Sequence, residues 1–222
     1  MLSEEIFAGE AHLKKSIRKY SSRDRDAVRR ICWLTGYGGN SVAPFFDDPA
    51  LFADLWCSYY TDREPHSLFI AEADGKVVGY LLGCLDTVHY NRVFTRRIVP
   101  SILVRAITGR YRIRRNTLRY FHALLGQMFR HEFKTPPLKR YPAHLHINIA
   151  EGYRRGGLGQ GLMESYFAYL RGYGIRGLHL GTSSLHTSAL PFYEKLGFKV
   201  YAAVDSMFLG QPVTNICYVK EL

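Results

Sequence analysis

AHLHINIAEGYRRGGLGQGLMESYFAYLRG, residues 143–172, is the stretch on which the reading of this chain turns. Over 143–149, Leu145, Ile147 and Ile149 alternate with His144, His146 and Asn148, which predicts a strand with three polar side chains on one face. The apolar spacing from Leu158 onward predicts a helix over 158–174. Between them runs Gly152-Tyr153-Arg154-Arg155-Gly156-Gly157-Leu158-Gly159-Gln160-Gly161. Glycine lets the backbone approach a ligand closely and adopt positive φ. The N–H groups of a first helical turn point outward, where the helix dipole also favours an anion. Arg154 and Arg155 add charge suited to phosphate oxygens. A Walker loop needs Gly-Lys-Ser/Thr after its glycines, and none is present. A dinucleotide fingerprint wants G-x-G-x-x-G in an N-terminal βαβ unit, whereas this run is G-G-x-G-x-G and late in the chain. A turn that merely joins strand to helix leaves the two arginines and the glycines unexplained.

Working outward, residues 16–20 read as a first strand. Asp24 reads as the N-cap of a helix carrying Ala27, Val28, Ile31, Cys32 and Leu34, closed by 36–40. Pro49 opens a second helix with Leu51, Phe52, Leu55, Trp56 and Tyr59. Residues 67–72 and 77–83 are apolar runs separated by 73–76, and Asp74-Gly75 between them is a strong hairpin signal. Downstream, a strand is expected over 177–182, a short helix over 188–196, and strands near 198–204 and 215–220. Residues 87–142 interrupt this order. Helices are expected at 98–107 and 117–133, joined by the basic run 109–115, with Pro136, Pro137 and Pro142 at the exit.

The chain has 222 residues, 47% hydrophobic and 22% charged, enough for one globular domain with an elaborate insertion. No apolar run is long enough for a membrane span. The first fifteen residues carry acids and lack an apolar core, unlike a secretory signal. Cys32, Cys57, Cys84 and Cys217 are scattered without metal-ligand spacing, so no metal site is expected and a reducing cytoplasm is the default. The net charge is +11, and it is concentrated. Residues 87–142 hold thirteen Lys or Arg against one acid, Glu132, while the remainder is nearly balanced. Such asymmetry suits an acidic partner or substrate, a nucleic acid or an anionic membrane surface, although charge runs are most often solvated faces.

Arg154-x-x-Gly157-x-Gly159 resembles the Q/R-x-x-G-x-G/A signature of the GNAT acetyltransferases. Residues 189–198, ALPFYEKLGF, resemble that family's A-x-x-F-Y-E-K-x-G-F ending. The resemblance covers the chain apart from 87–142, and within the superfamily it runs closest to the acetyltransferase-like domain of O-GlcNAcase and its stand-alone bacterial relatives. It implies an α/β (α+β) GNAT fold: a mixed, mostly antiparallel central sheet flanked by helices, with a helical insertion between the third and fourth strands. It implies acetyl-CoA as cofactor and N-acetyl transfer to a small-molecule or peptide amine in a ternary complex. A catalytically inactive acyl-CoA-binding module is the alternative, and a nucleic-acid-binding role through the insertion is a third.

Carried over residue by residue, Ile147, Asn148 and Ile149 would offer backbone groups to the pantetheine. Arg154, Arg155, Gly156, Gly157, Leu158, Gly159 and Gln160 would hold the pyrophosphate. Tyr193 matches the family's tyrosine beside the thioester sulfur, a phenol able to protonate the departing thiolate. His186 stands where an Asn is usual, and Ser188 is a substitute for that contact. A base or water relay must take the proton of the amine. His146 is the first candidate, then His144, with Glu72 and Asp86 as alternatives. Asn148 stands where O-GlcNAcase-type relatives tend to have Asp, and cannot serve as a base. The acceptor is not legible from these residues, and a homodimer is compatible with them.

Overall fold

The computed structural model describes residues 13–222; most of the fifteen N-terminal residues read above as unlike a signal lie outside it. Seven strands form one sheet in the order β1-β2-β3-β4-β5-β7-β6: β1 Lys15–Lys19, β2 Leu68–Ala73, β3 Lys76–Cys84, β4 Ala143–Ile149, β5 Gly177–Ser183, β6 Lys199–Phe208 and β7 Gln211–Glu221. All neighbours are antiparallel except β4 and β5. The mixed, mostly antiparallel sheet expected from the sequence is therefore present. The β2–β3 hairpin turns on Asp74 (φ 47°) and Gly75 (φ 73°). Positive φ at both central residues is the requirement of the two-residue turn that matches strand twist.

Two helical layers cover the sheet. On one face lie α1 (Arg25–Thr35) and α2 (Pro49–Arg63), with Val28, Phe52, Tyr60, Tyr80 and Leu82 in the shared core. On the other lie α6 (Leu158–Gly172) and α7 (Ala189–Lys195), whose Leu162, Met163, Tyr166 and Tyr193 pack on Leu81, Leu145 and Leu180. Between β3 and β4 come α3 (Thr87–Val93), a π-helical turn at Phe94–Ile98, α4 (Val99–Ile107) and α5 (Arg115–Phe129). Their Ile98, Ile102 and Tyr120, with Tyr111 of the α4–α5 connection, join the core on the α1/α2 face.

Three expectations are corrected. The helix expected at 98–107 is α4, but α3 ahead of it was not expected; it starts at Thr87 because Asp86 caps it: its carboxylate accepts from the N–H groups of Val88 (2.8 Å) and His89 (3.0 Å). The helix expected at 117–133 ends at Phe129, ahead of His131 in the left-handed region (φ 55°). Asp24 does not bond the first turn of α1. It is buried, accepts from the Ser21 N–H (2.8 Å) and pairs with Arg18 through both oxygens at 2.7 Å. The neighbouring guanidinium and these hydrogen bonds outweigh burial and lower the Asp24 pKa.

One hydroxyl ties α6 to the end of the β3–β4 ladder. Tyr166 is fully buried, and its Oη accepts from the Cys84 N–H (3.1 Å) and lies 2.9 and 3.0 Å from the Cys84 and His144 carbonyl oxygens. Removing it leaves buried backbone groups without a partner. Tyr166→Phe is expected to lower unfolding stability by about 1–3 kcal/mol. Urea titration should show a lower midpoint at unchanged slope; an unaltered midpoint would contradict the assignment.

Candidate functional site

β4 and β5 both run for seven residues, yet they pair only at Ala143↔Leu178 and His144↔His179. Beyond that point the strands part, leaving a fork whose inner backbone groups have no ladder partner. His146, Ile147, Asn148 and Ile149 lie along its β4 arm. Side chains alternate across the sheet. Ile147 and Ile149 pack toward α6 and Tyr193, while His144 and His146 face the aromatic rings of α2. At the fork, Tyr193 thus lies on one face of the sheet and His146 on the other.

At the arm's end the chain enters the glycine loop. Arg155 (φ 62°) and Gly157 (φ 84°) are both left-handed, which helps turn backbone N–H groups into a concave nest. Gly157 is the N-cap of α6 and supplies no side-chain cap. The first-turn N–H groups therefore lack an intrahelical partner. A Cβ at Gly157 would meet nothing within 4 Å, so the space above these donors is open. The nest, its open space and the helix dipole fit a phosphate group. Arg155 is exposed. Arg154 turns back, with Nε donating to the Ile149 carbonyl (2.9 Å) and Nη2 to that of Gly39. It latches the α1–α2 connection to the fork. Gln160 donates its side-chain amide to Glu164 (2.7 Å). Lys15 was missed by sequence reasoning: from the edge strand β1 it donates to the Gly156 carbonyl (3.2 Å). No local pattern joins residues 141 apart in the chain.

Across the fork, His186 is half-buried with Nδ1 3.5 Å from the Ser183 hydroxyl. Burial lowers its pKa, and the Arg154 charge acts in the same direction. Ser188 is exposed at the N-cap of α7 and caps with no side-chain bond. The Tyr193 ring sits among Phe192, Phe198 and Tyr218 at centroid distances of 5.6–5.9 Å. Burial raises its pKa strongly, so the phenol keeps its proton at neutral pH.

The histidines differ. His144 Nε2 lies 2.9 Å from the Tyr60 hydroxyl and Nδ1 2.8 Å from Thr87 Oγ1. The Thr87 hydroxyl gives its one proton to the Pro142 carbonyl at 2.7 Å. It must then accept from Nδ1–H, and Nε2 accepts from Tyr60. His144 is neutral with both nitrogens taken, and burial holds its pKa far down. No ring nitrogen is left free to take a further proton without breaking one of these bonds. His146 is partly exposed and packs edge-on to Tyr60 (5.6 Å) and Trp56 (6.2 Å). Its enclosure lowers the pKa to about 4. The Trp56 indole N–H beside it is buried without a hydrogen-bond partner among the described residues. Asn148 donates to the Tyr80 hydroxyl at 2.8 Å. The two alternative bases are engaged elsewhere: Asp86 caps α3, and Glu72 pairs with Arg18 at 2.6 Å. No cluster of metal-ligating side chains occurs among the described residues.

Three comparisons bear on this geometry. A family model described as the acetyltransferase (GNAT) family matches residues 122–198. An uncharacterized N-acetyltransferase of Methanocaldococcus jannaschii is 37% identical over 73 residues, 32% of this chain and 37% of that protein. The match thus spans little more than a third of that relative's length. The crystal structure of SsHAT superposes with a TM-score of 0.72 at 30% identity, covering 94% of this chain and 98% of the other. The yncA acetyltransferase of Salmonella typhimurium, solved with its cofactor acetyl-CoA, shares the fold at a TM-score of 0.51 and 14% identity, over 94% of each chain.

The low pKa of His146 has a consequence for stability. Unfolding returns it to its ordinary value of 6.5, so below that pH the unfolded chain binds the proton that the folded one refuses. Stability is full above pH 6.5 and declines as pH falls toward 4, by at most about 3 kcal/mol, less for a partly exposed ring. His146→Gln is expected to make this decline shallower without abolishing it, because His144 acts in the same sense. Denaturant midpoints between pH 4 and 7 measure it; an identical profile in the variant would refute the shift.

Proposed function

Because the chain belongs to the GNAT family of acetyltransferases, we propose that it transfers an acetyl group from acetyl-CoA to an amine, with all described residues working as one domain and 87–142 as its helical insertion. The observation that carries this reading is the fork between β4 and β5 opening beside the uncapped glycine N-terminus of α6. The N–H groups of Gly157, Leu158, Gly159 and Gln160 receive the pyrophosphate, with Arg155 and Lys15 as the nearby cations. Backbone groups of Ile147, Asn148 and Ile149 align the pantetheine in the fork, and His186 and Ser188 border it from the β5 side. When bound, the cofactor supplies an activated thioester. Tyr193 holds a proton at its hydroxyl for the departing sulfur. From the opposite face, His146, neutral at physiological pH, accepts the proton of the amine directly or through a water. Because a base of such low pKa is weak, its main contribution is orientation.

A second reading has its own support. His144 is saturated, Asp86 and Glu72 are engaged, and Asn148 carries no base. A chain that binds acyl-CoA without turning it over would look like this, and the resemblance to O-GlcNAcase-type domains is in keeping with it. The four buried free cysteines suit a reducing cytoplasm. The acceptor is a small-molecule or peptide amine.

Calorimetry with acetyl-CoA is expected to show saturable binding, weakened at least about tenfold in Gly157→Val, whose side chain would enter the phosphate space and cannot adopt φ 84° without strain. Absence of binding to the wild-type protein would remove the cofactor assignment. Thiol release across a panel of amines separates the two readings. Under the first, His146→Gln lowers kcat by roughly a hundredfold; under the second, no amine elicits release.

A further inference from the structure

The charge of the insertion is not evenly solvated. Arg115, Arg119 and His122 follow one another a turn apart along α5, on one face. They form a wall of a groove of about 720 Å³, with Arg114 at its end, Leu118 along its side and Met207 of the β6–β7 hairpin opposite. No acidic side chain lines it among the described residues. Arg130, further along, is neutralised by Glu132 at 2.5 Å. Arg114, Arg115 and Arg119 form no ion pair among the described residues, and all three are exposed.

The groove opens on the face of the sheet that carries His146. Core aromatic rings pack in sequence between the β6–β7 hairpin and His146: Phe208 to Tyr120 (5.3 Å), Tyr120 to Phe52 (6.2 Å), Phe52 to Trp56 (6.2 Å) and Trp56 to His146 (6.2 Å). Cations four residues apart on a helix are separated by about 6 Å along its axis. Alternate side chains of an extended peptide are separated by about 6.6 Å. Carboxylates at every second position of such a peptide therefore match the arginine spacing, and the stems between them can lie on Leu118 and Met207. The groove offers no Phe, Tyr or Trp on which single-stranded bases would stack.

We propose that this groove binds an acidic peptide segment of the acceptor, pairing its carboxylates with Arg115 and Arg119 while its amine reaches the fork. The link to acetylation rests on the acetyl-transfer reading; binding of the peptide does not require it. The test is fluorescence anisotropy of a labelled peptide of alternating Glu and Ala with a free N-terminus, in the absence of cofactor. Binding is expected to weaken with salt, and at least about tenfold in Arg115→Glu/Arg119→Glu. The milder Arg115→Gln/Arg119→Gln is expected to lie between, with unfolding midpoints near wild type. Equal binding by wild type and both variants would overturn the proposal. Equal binding of a Gln-for-Glu peptide, or tighter binding of an oligothymidylate than of the acidic peptide, would do the same. Acetyl-CoA titration of the double variants is expected to match wild type. A wild-type protein that binds the peptide but not acetyl-CoA would remove the acetyl-transfer reading and leave the groove in place.

Discussion

The fork between β4 and β5 depends on what is buried at its apex. Two parallel strands that pair for two residues and then part must bury the last paired residues firmly, or the ladder would zip further or fray. His144 fills that place. Its ring is held by Tyr60 from α2 and Thr87 from α3, and its carbonyl approaches Tyr166 from α6. Elements of both layers and the start of the insertion therefore meet at one residue. The arrangement works only with a neutral imidazole. A second proton on Nε2 would oppose the proton that Tyr60 donates to it and would place a charge where burial makes it costly.

The same logic explains why the insertion docks although it is strongly basic. Three carboxylates near the start of α2 receive it. Asp54, buried, pairs with Arg29 (2.7 Å) and Arg105 (2.8 Å) and accepts from the Tyr111 hydroxyl (2.6 Å). Asp47 accepts from the N–H groups of Arg114 (3.2 Å) and Thr117 (2.8 Å), and Asp48 from that of Arg112 (2.8 Å). These contacts of Asp47 and Asp48 are to backbone N–H groups, so they fix the path of 112–117 without neutralising its arginines. Docking and residual charge are compatible because different atoms of the same residues serve each.

What was legible in the sequence was whatever local chemistry dictates. Asp74-Gly75 gave the hairpin, the alternation over 143–149 gave β4 to the residue, and the glycine run gave the N-terminus of α6. What was not legible depended on partners distant in the chain. Asp24 looks like a cap because it precedes a helix; Arg18 and Ser21 claim it instead. Asp86 and Glu72 looked available for proton transfer because neither a cap bond nor an ion pair can be seen in a bare carboxylate. The two strand histidines look alike in alternation, and only Tyr60 and Thr87 distinguish the saturated ring from the open one.

That contrast also separates the two halves of the site. On the proposed function, the cofactor side is built from backbone N–H groups, whose direction is set by glycines adjacent in sequence, so a short motif suffices to encode it. The acceptor side proposed here would draw on side chains of α2, β4, α5 and the β6–β7 hairpin, brought together only by folding, and no short motif can carry it. A helix nest recognises an anion whatever the rest of the molecule does. The proposed acceptor surface of Trp56, His146 and the α5 arginines can change by single substitutions without disturbing that nest. On this proposal the fork separates two kinds of recognition as well as two faces of a sheet, and the face that would decide the substrate is the one that only the folded chain displays.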